Sequence, residues 1–223
     1  MCRKLKGCTE LESNPDNWSR ECPLKPPSYF DESLDFLVKA YQLASKGQKK
    51  EAVKTLHKTR SNDLREWFME HGSYSGWKHR VNILNKPVPE KYLGEIESRR
   101  YFYAIEKNTI HIRDNYSCRY CGIRVLDMRV LKKLEKMLGR EHFKATGKTN
   151  MDRHGTVFAF KATIDHVDPI SNGGKTTIHN GVTACWNCNL GKYNALLSQM
   201  GMDDPRDRPF VIKELWDGLL SSL

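Results

Sequence analysis

No stretch of this 223-residue chain is apolar for long enough to cross a bilayer, and no leader at its start resembles a signal peptide. A membrane protein is therefore not expected, nor is a membrane partner. Acidic residues are the scarcer charge, 27 against 37 Lys plus Arg, which leaves a formal +10. That balance suits a polyanion, because neutralising phosphates releases counterions, although a merely soluble basic protein has it too. Cysteines number seven, and four of them sit in Cys-x-x-Cys pairs. That usage points to metal binding in a reducing compartment rather than to a disulfide scaffold, so the expected location is the cytoplasm. Apolar content of 39% is enough for an ordinary core, in one large domain or two small ones.

Regular structure is discouraged in the first 30 residues by Pro15, Pro23, Pro26 and Pro27, and Cys2, Cys8 and Cys22 lie there without a ligand spacing. They are read as free thiols or loop residues. From Asp31 the pattern is helical: Leu34, Leu37, Val38, Tyr41 and Ala44 recur at three- and four-residue steps, and Gly47 offers a left-handed stop. A second short helix carries Ala52, Val53 and Leu56. A third starts at Ser61 or Asn62, buries Leu64, Trp67 and Phe68, and ends near Gly72. The first two helices are similar to a tetratricopeptide hairpin, but no second copy follows about 34 residues on, which argues against a solenoid. Trp67, Phe68, Tyr74 and Trp77 could line a pocket for a flipped base, but aromatics at helical spacing are first of all core.

Lys86-Pro87-Val88-Pro89 is the clearest linker signal and divides the chain into residues 1–86, a small mainly helical domain, and residues 87–223. Residues 90–115 read mostly as helix. Val125, Leu126, Met128, Leu131, Leu134, Met137 and Leu138 describe an amphipathic helix closed by Gly139. It lies in a basic insertion at about 122–160; residues 124–161 hold ten basic and four acidic side chains. Such a run is most often a solvated face, with nucleic-acid contact the competing reading.

Chemistry concentrates between Cys118 and Lys192. The pairs Cys118/Cys121 and Cys185/Cys188 bracket the run Thr163-Ile164-Asp165-His166-Val167-Asp168-Pro169, with Asn180 fourteen residues after His166. Four thiolates at this spacing can close a tetrahedral zinc site with no open position, hence a structural one. A carboxylate beside an imidazole can hold a second metal and activate water. Val157 to His166 reads as a strand, Ser171-Asn172-Gly173-Gly174-Lys175 as an open turn, Val182-Thr183-Ala184 as the returning strand, and a helix starts near Asn187 and runs past Leu190, Tyr193, Leu196 and Leu197. Asp165 and His166 alternate across the strand, unless the backbone bends at its end. Asp168 before Pro169 is read as a turn residue and His179 as solvent-facing.

The ordered set RDNYSCRYCG, TIDHVDPISNGG, Asn180 and ACWNCNLGK resembles an HNH endonuclease of the ββα-metal superfamily, four-cysteine type, over roughly residues 112–194. The resemblance implies an α+β fold: a C-terminal ββα-metal nuclease domain with a structural Zn²⁺, preceded here by the helical domain. It implies His166 as general base, Asn180 as the brace of the metal loop, and Asp165 and Asn189 as ligands of a catalytic Mg²⁺ or Mn²⁺. Lys192 would contact a phosphate. The expected function is metal-dependent hydrolysis of DNA phosphodiester bonds, in restriction or phage defence. The N-terminal domain would serve recognition or dock a partner protein, and a duplex break would call for a homodimer or sequential nicks. The alternatives are a zinc-stabilised DNA-binding module that does not cut, and a nuclease subunit active only with a partner.

Overall fold

The computed structural model describes residues 14–22, 25–72, 75–85, 94–209 and 216–223. At its centre is a two-stranded antiparallel sheet, β1 (Ala162–His166) and β2 (Gly181–Cys185), in register from Ala162↔Cys185 to His166↔Gly181. An isolated two-stranded ribbon is marginal in water. Here other backbone meets both outer edges. On the β2 side Asp114 Oδ2 accepts from Thr183 N (2.6 Å), Arg119 N donates to Thr183 O (2.8 Å), and the Arg113 guanidinium donates to Gly181 O (2.7 Å). On the β1 side Ala162 N donates to Leu126 O (2.9 Å).

Nine α-helices are present among the described residues. The expected first three are there as α1 (Tyr29–Ser45), α2 (Lys49–Leu56) and α3 (Ser61–Trp67), with Gly47 in the left-handed region at φ +77° and a π-turn over Phe68–Gly72. Trp67 and Phe68 are buried core, Phe68 against Phe158 (4.6 Å between rings); the remainder of the suggested aromatic pocket, Tyr74 and Trp77, lies outside the described residues or side chains. So do Cys2 and Cys8, whereas Cys22 is a buried free thiol. The expected linker at residues 86–89 also lies outside them. Helices on its N-terminal side share one apolar core with the sheet region: Phe30 of α1 meets Phe160 edge-on at 6.1 Å, within a cluster that runs on through Leu131, Val182 and Cys188.

Several boundaries differ from expectation. A further helix, α4, spans Ser75–Leu84, and of residues 94–115 only α5 (Ala104–Arg113) is helical. The amphipathic helix α6 starts at Met128, not Val125, and ends at Leu138 before Gly139 (φ +89°); Asp127 caps it by accepting from Arg129 N at 2.7 Å. Val125 and Leu126 are instead extended, and Leu126 pairs with the edge of the sheet.

The first half of the expected strand is a buried helix, α7 (Gly155–Phe160). All six of its residues are buried, and residues 157–160, apolar at every position, carry no period to tell helix from strand. Gly155 is required where it stands: a Cβ there would lie 1.7 Å from Ser61 O. After β2, α8 (Trp186–Lys192) stops at Tyr193, whose φ is +54°, and a separate short α9 (Leu197–Met200) follows, where one longer helix was expected.

Among the described residues, three of the ten basic side chains over 124–161 are ion-paired. Arg124 pairs with Asp35 (2.6 Å), Arg129 with Asp127 (2.9 Å) and Arg140 with Glu135 (2.6 Å). Among the described residues no helix is long and apolar enough to cross a membrane.

Candidate active site

Four thiols converge on one point. Cys118 and Cys121 sit on a knuckle closed by Cys118 N→Ile123 O (2.8 Å) and Gly122 N→Cys118 O (2.9 Å), with Gly122 at φ +76°. Cys185 ends β2 and caps α8, its Sγ accepting from Cys188 N at 3.4 Å. All four Sγ atoms lie within 4.8 Å of one another, and Cys121 and Cys185 are 3.8 Å apart. A tetrahedron of zinc–sulfur bonds has edges of about 3.8 Å, whereas a disulfide needs about 2.05 Å. Burial alone would raise the Cys118 thiol, but hydrogen bonds from Cys121, Cys185 and Cys188 outweigh it and hold Cys118 well below the usual thiol value. The same contacts hold Cys121 and Cys188 well above that value, and it is the spacing of the four sulfur atoms that fits a metal such as zinc.

The loop from β1 to β2 is tied by Asn180. Its Oδ1 accepts from Asp168 N (2.8 Å), and its Nδ2 donates to Asp168 O (3.0 Å) and Lys175 O (2.8 Å). Gly174 closes the same loop, since a Cβ there would meet Asp168 O at 1.9 Å. Asp168 carries an ion pair to Arg206 (2.7 Å), and His179 is exposed.

Asp165 and His166 do not bend toward one side. Both remain in the ladder, opposite Val182 and Gly181, so their side chains leave opposite faces of β1. Asp165 is buried on the α8 side, where Oδ2 accepts from Tyr120 OH (2.5 Å) and faces Lys192 Nζ (3.2 Å). Burial raises its carboxyl above the ordinary aspartate value, against the pull of Lys192 and Tyr120. Lys192 is fully buried, and its Nζ bridges Asp165 and His166 O (2.9 Å), locking the end of α8 to the end of β1.

Asn189 stands on the same side as Asp165, because its Nδ2 donates to Thr163 Oγ1 and Ile164 O, both at 3.0 Å, and Thr163 shares a face with Asp165. Asp165 Oδ1 and Asn189 Oδ1 accept no hydrogen bond from any described side chain or backbone group. Two oxygen donors on one side of the strand, one of them anionic, are the chemistry a hard divalent cation takes.

His166 occupies the other face. Its ring stacks on Phe102 (4.7 Å, 25°), and Nε2 lies 3.2 Å from Thr176 Oγ1. The Thr176 hydroxyl gives its one proton to Arg99 O (2.6 Å), so toward the imidazole it can only accept. Nε2 therefore carries the hydrogen, and Nδ1 is left as the basic nitrogen of the neutral ring. Burial, with the Lys192 charge nearby, pulls the imidazole below the ordinary histidine value, which favours that neutral form. Thr176 is itself clamped, its N donating to Glu97 Oε2 at 2.5 Å and its O receiving the Arg99 guanidinium. Thr176, Phe102 and Tyr120 carried no motif that would have singled them out; Tyr120 lies inside the first cysteine pair, Phe102 in a segment read mostly as helix, and Thr176 just beyond the open turn.

In front of His166 lies a groove of about 580 Å³. Ala162, Ile164 and His166, successive residues of one β1 face, line it together with Phe102, and Arg100, Lys107, Arg129 and Lys161 also border it.

Residues 155–195 match the family model described as HNH endonuclease. The match takes in α7, the β-hairpin and α8, the same elements that hold His166, Asn180 and Asn189. No curated protein and no solved structure matches the chain. Over residues 155–195 the chain is therefore similar to an HNH endonuclease domain, and its four-cysteine cluster is compatible with the zinc-containing kind.

Proposed function

We propose that this HNH endonuclease domain hydrolyses DNA phosphodiester bonds, with His166 as the general base. The observation that carries the reading is the placement of His166: held by Thr176 through Nε2, its Nδ1 unbonded among the described residues, at the end of a strand whose other face holds Asp165 and Asn189. Hydrolysis at phosphorus proceeds in line, so the attacking water and the leaving oxygen lie on opposite sides. In this reading the substrate phosphate sits at the strand end, with the base on one side and the two oxygen donors on the other.

In this reading the Nδ1 of His166 takes the proton of the attacking water. Asp165 and Asn189 would hold Mg²⁺ or Mn²⁺, which supplies charge neutralisation at the phosphate and leaving oxygen. Lys192 is a positioning residue, holding the His166 carbonyl and the Asp165 carboxylate in one grip. Asn180 keeps the loop beyond His166 in shape, and Zn²⁺ in the thiolate cluster fixes the knuckle to the start of α8. Restriction or phage defence is the setting in keeping with this chemistry. Residues 1–86 are proposed to serve recognition or a partner protein, and two copies or two passes would be needed for a duplex break.

One observation favours a second reading, a zinc-stabilised DNA-binding module: the Asp165 carboxylate already has a cation, Lys192, at 3.2 Å. Incubating supercoiled plasmid with the protein in Mg²⁺, Mn²⁺ or EDTA, beside His166→Ala, decides between them. Metal-dependent nicking that the variant lacks supports the nuclease. Binding without nicking by zinc-loaded, folded protein supports the module.

A further inference from the structure

We propose that the groove in front of His166 receives an unpaired nucleotide of the substrate, so that the preferred ligand is single-stranded or locally unpaired nucleic acid. This rests on the nuclease reading and narrows its substrate. The floor of the groove is apolar and flat-faced: Ala162 and Ile164 of β1, half-buried, beside the Phe102–His166 stack. Tyr101, 62% exposed, stands at its border, edge-on to Tyr103 at 5.8 Å. An exposed tyrosine on an otherwise polar rim is a stacking surface for a base, and stacking of this kind tolerates any base.

The rim is cationic. Arg100 and Lys107 are exposed and form no ion pair among the described residues, and the Arg129 guanidinium completes the cationic border; the Lys161 ammonium lies instead over Trp186 (4.6 Å). The one acid lining the groove, Asp127, is already taken by the guanidinium and backbone N–H of Arg129. An apolar floor within a cationic rim is complementary to a splayed nucleotide, whose base seeks the floor while its phosphates meet the rim. A volume of about 580 Å³ lies in the range of small-ligand sites. A duplex keeps its bases stacked inward and can offer this concavity only its backbone, which leaves the aromatic wall without a partner.

The test is fluorescence anisotropy with a short labelled DNA strand and the same strand annealed to its complement. It is run without Mg²⁺ or Mn²⁺, so that binding is read apart from cutting. Wild-type protein should bind the single strand more tightly than the duplex. Tyr101→Ala should weaken single-strand binding by roughly 5- to 100-fold, the usual worth of one stacked base, and change duplex binding by less than about twofold. Lys107→Ala should lower the slope of log affinity against log salt by about 0.7. Because Tyr101 is exposed, the fold should survive; zinc content and circular dichroism verify it. Duplex bound as tightly as the single strand, or Tyr101→Ala binding the single strand like wild type, overturns the proposal. A protein that fails here yet nicks plasmid keeps the nuclease reading, and one that binds through Tyr101 yet never cuts refutes that reading and not this one.

Discussion

Replacing Lys192 by methionine should expose the strongest electrostatic dependence in the fold. Its side chain is fully buried, and its Nζ has two partners, Asp165 Oδ2 at 3.2 Å and His166 O at 2.9 Å. Methionine keeps most of the volume and removes the charge, leaving a buried carboxylate with only Tyr120 to satisfy it. Breaking a buried pair from one side costs about 3–5 kcal/mol, whereas replacing both partners by neutral groups is often close to neutral. Burial on both sides means no discount for solvent screening. The expectation is therefore about 3–5 kcal/mol for Lys192→Met, a similar or smaller loss for Asp165→Asn, and a double variant that recovers at least half of the sum. Urea denaturation of the zinc-loaded protein at pH 7, without Mg²⁺, measures all three. A loss under about 1 kcal/mol for Lys192→Met, or strictly additive singles, would refute the claim that this pair is desolvated and coupled.

Three further outcomes are expected. Thr176→Val removes the group that fixes the His166 tautomer, so kcat in the nicking assay should fall about tenfold or more with KM little changed, and Thr176→Ser should restore it; equal rates for wild type and Val would remove Thr176 from the site. Stripping zinc with a chelator, or Cys188→Ser, should abolish folding of the hairpin region, since such sites contribute about 10–16 kcal/mol of apparent binding energy, and metal analysis should find one zinc per chain in the intact protein. His111 is buried against Thr183 (2.9 Å), and burial lowers its imidazole to about 4. Its folded value lies below the ordinary 6.5, so it folds neutral: its contribution is complete above about pH 6.5 and is lost as the pH falls toward 4, on the order of 3 kcal/mol at most. His111→Gln should flatten stability across that window, and an unchanged acid profile would contradict the assignment.

The functional hairpin was legible because its chemistry demands particular residue types at short range. Cys-x-x-Cys twice over announced a four-thiol site, and the cluster forms. Asn180 was expected to brace a loop, and its amide does so with three hydrogen bonds. Helix α1 and its stop at Gly47 followed from period and backbone freedom alone. Where the pattern lost its period the reading failed: Val157 to Phe160, apolar at every position, could be strand or helix, and packing against Ser61 and Trp186 made it helix. Likewise Tyr193, an ordinary apolar-period residue on paper, takes a positive φ and ends α8.

The sequence by itself determined the two Cys-x-x-Cys pairs and the β-hairpin, since each depends on residues close in the chain, and it pointed to His166 as the proposed base. Tertiary structure alone decided how these are used. It put Asp165 and His166 on opposite faces by keeping both in the ladder, and it drew Lys192 inside as the partner of a buried carboxylate. It also brought Thr176 and Phe102 from separate loops to orient one imidazole. No periodicity or ligand spacing specifies contacts of that kind, and only the packing of the remaining chain selects the pair.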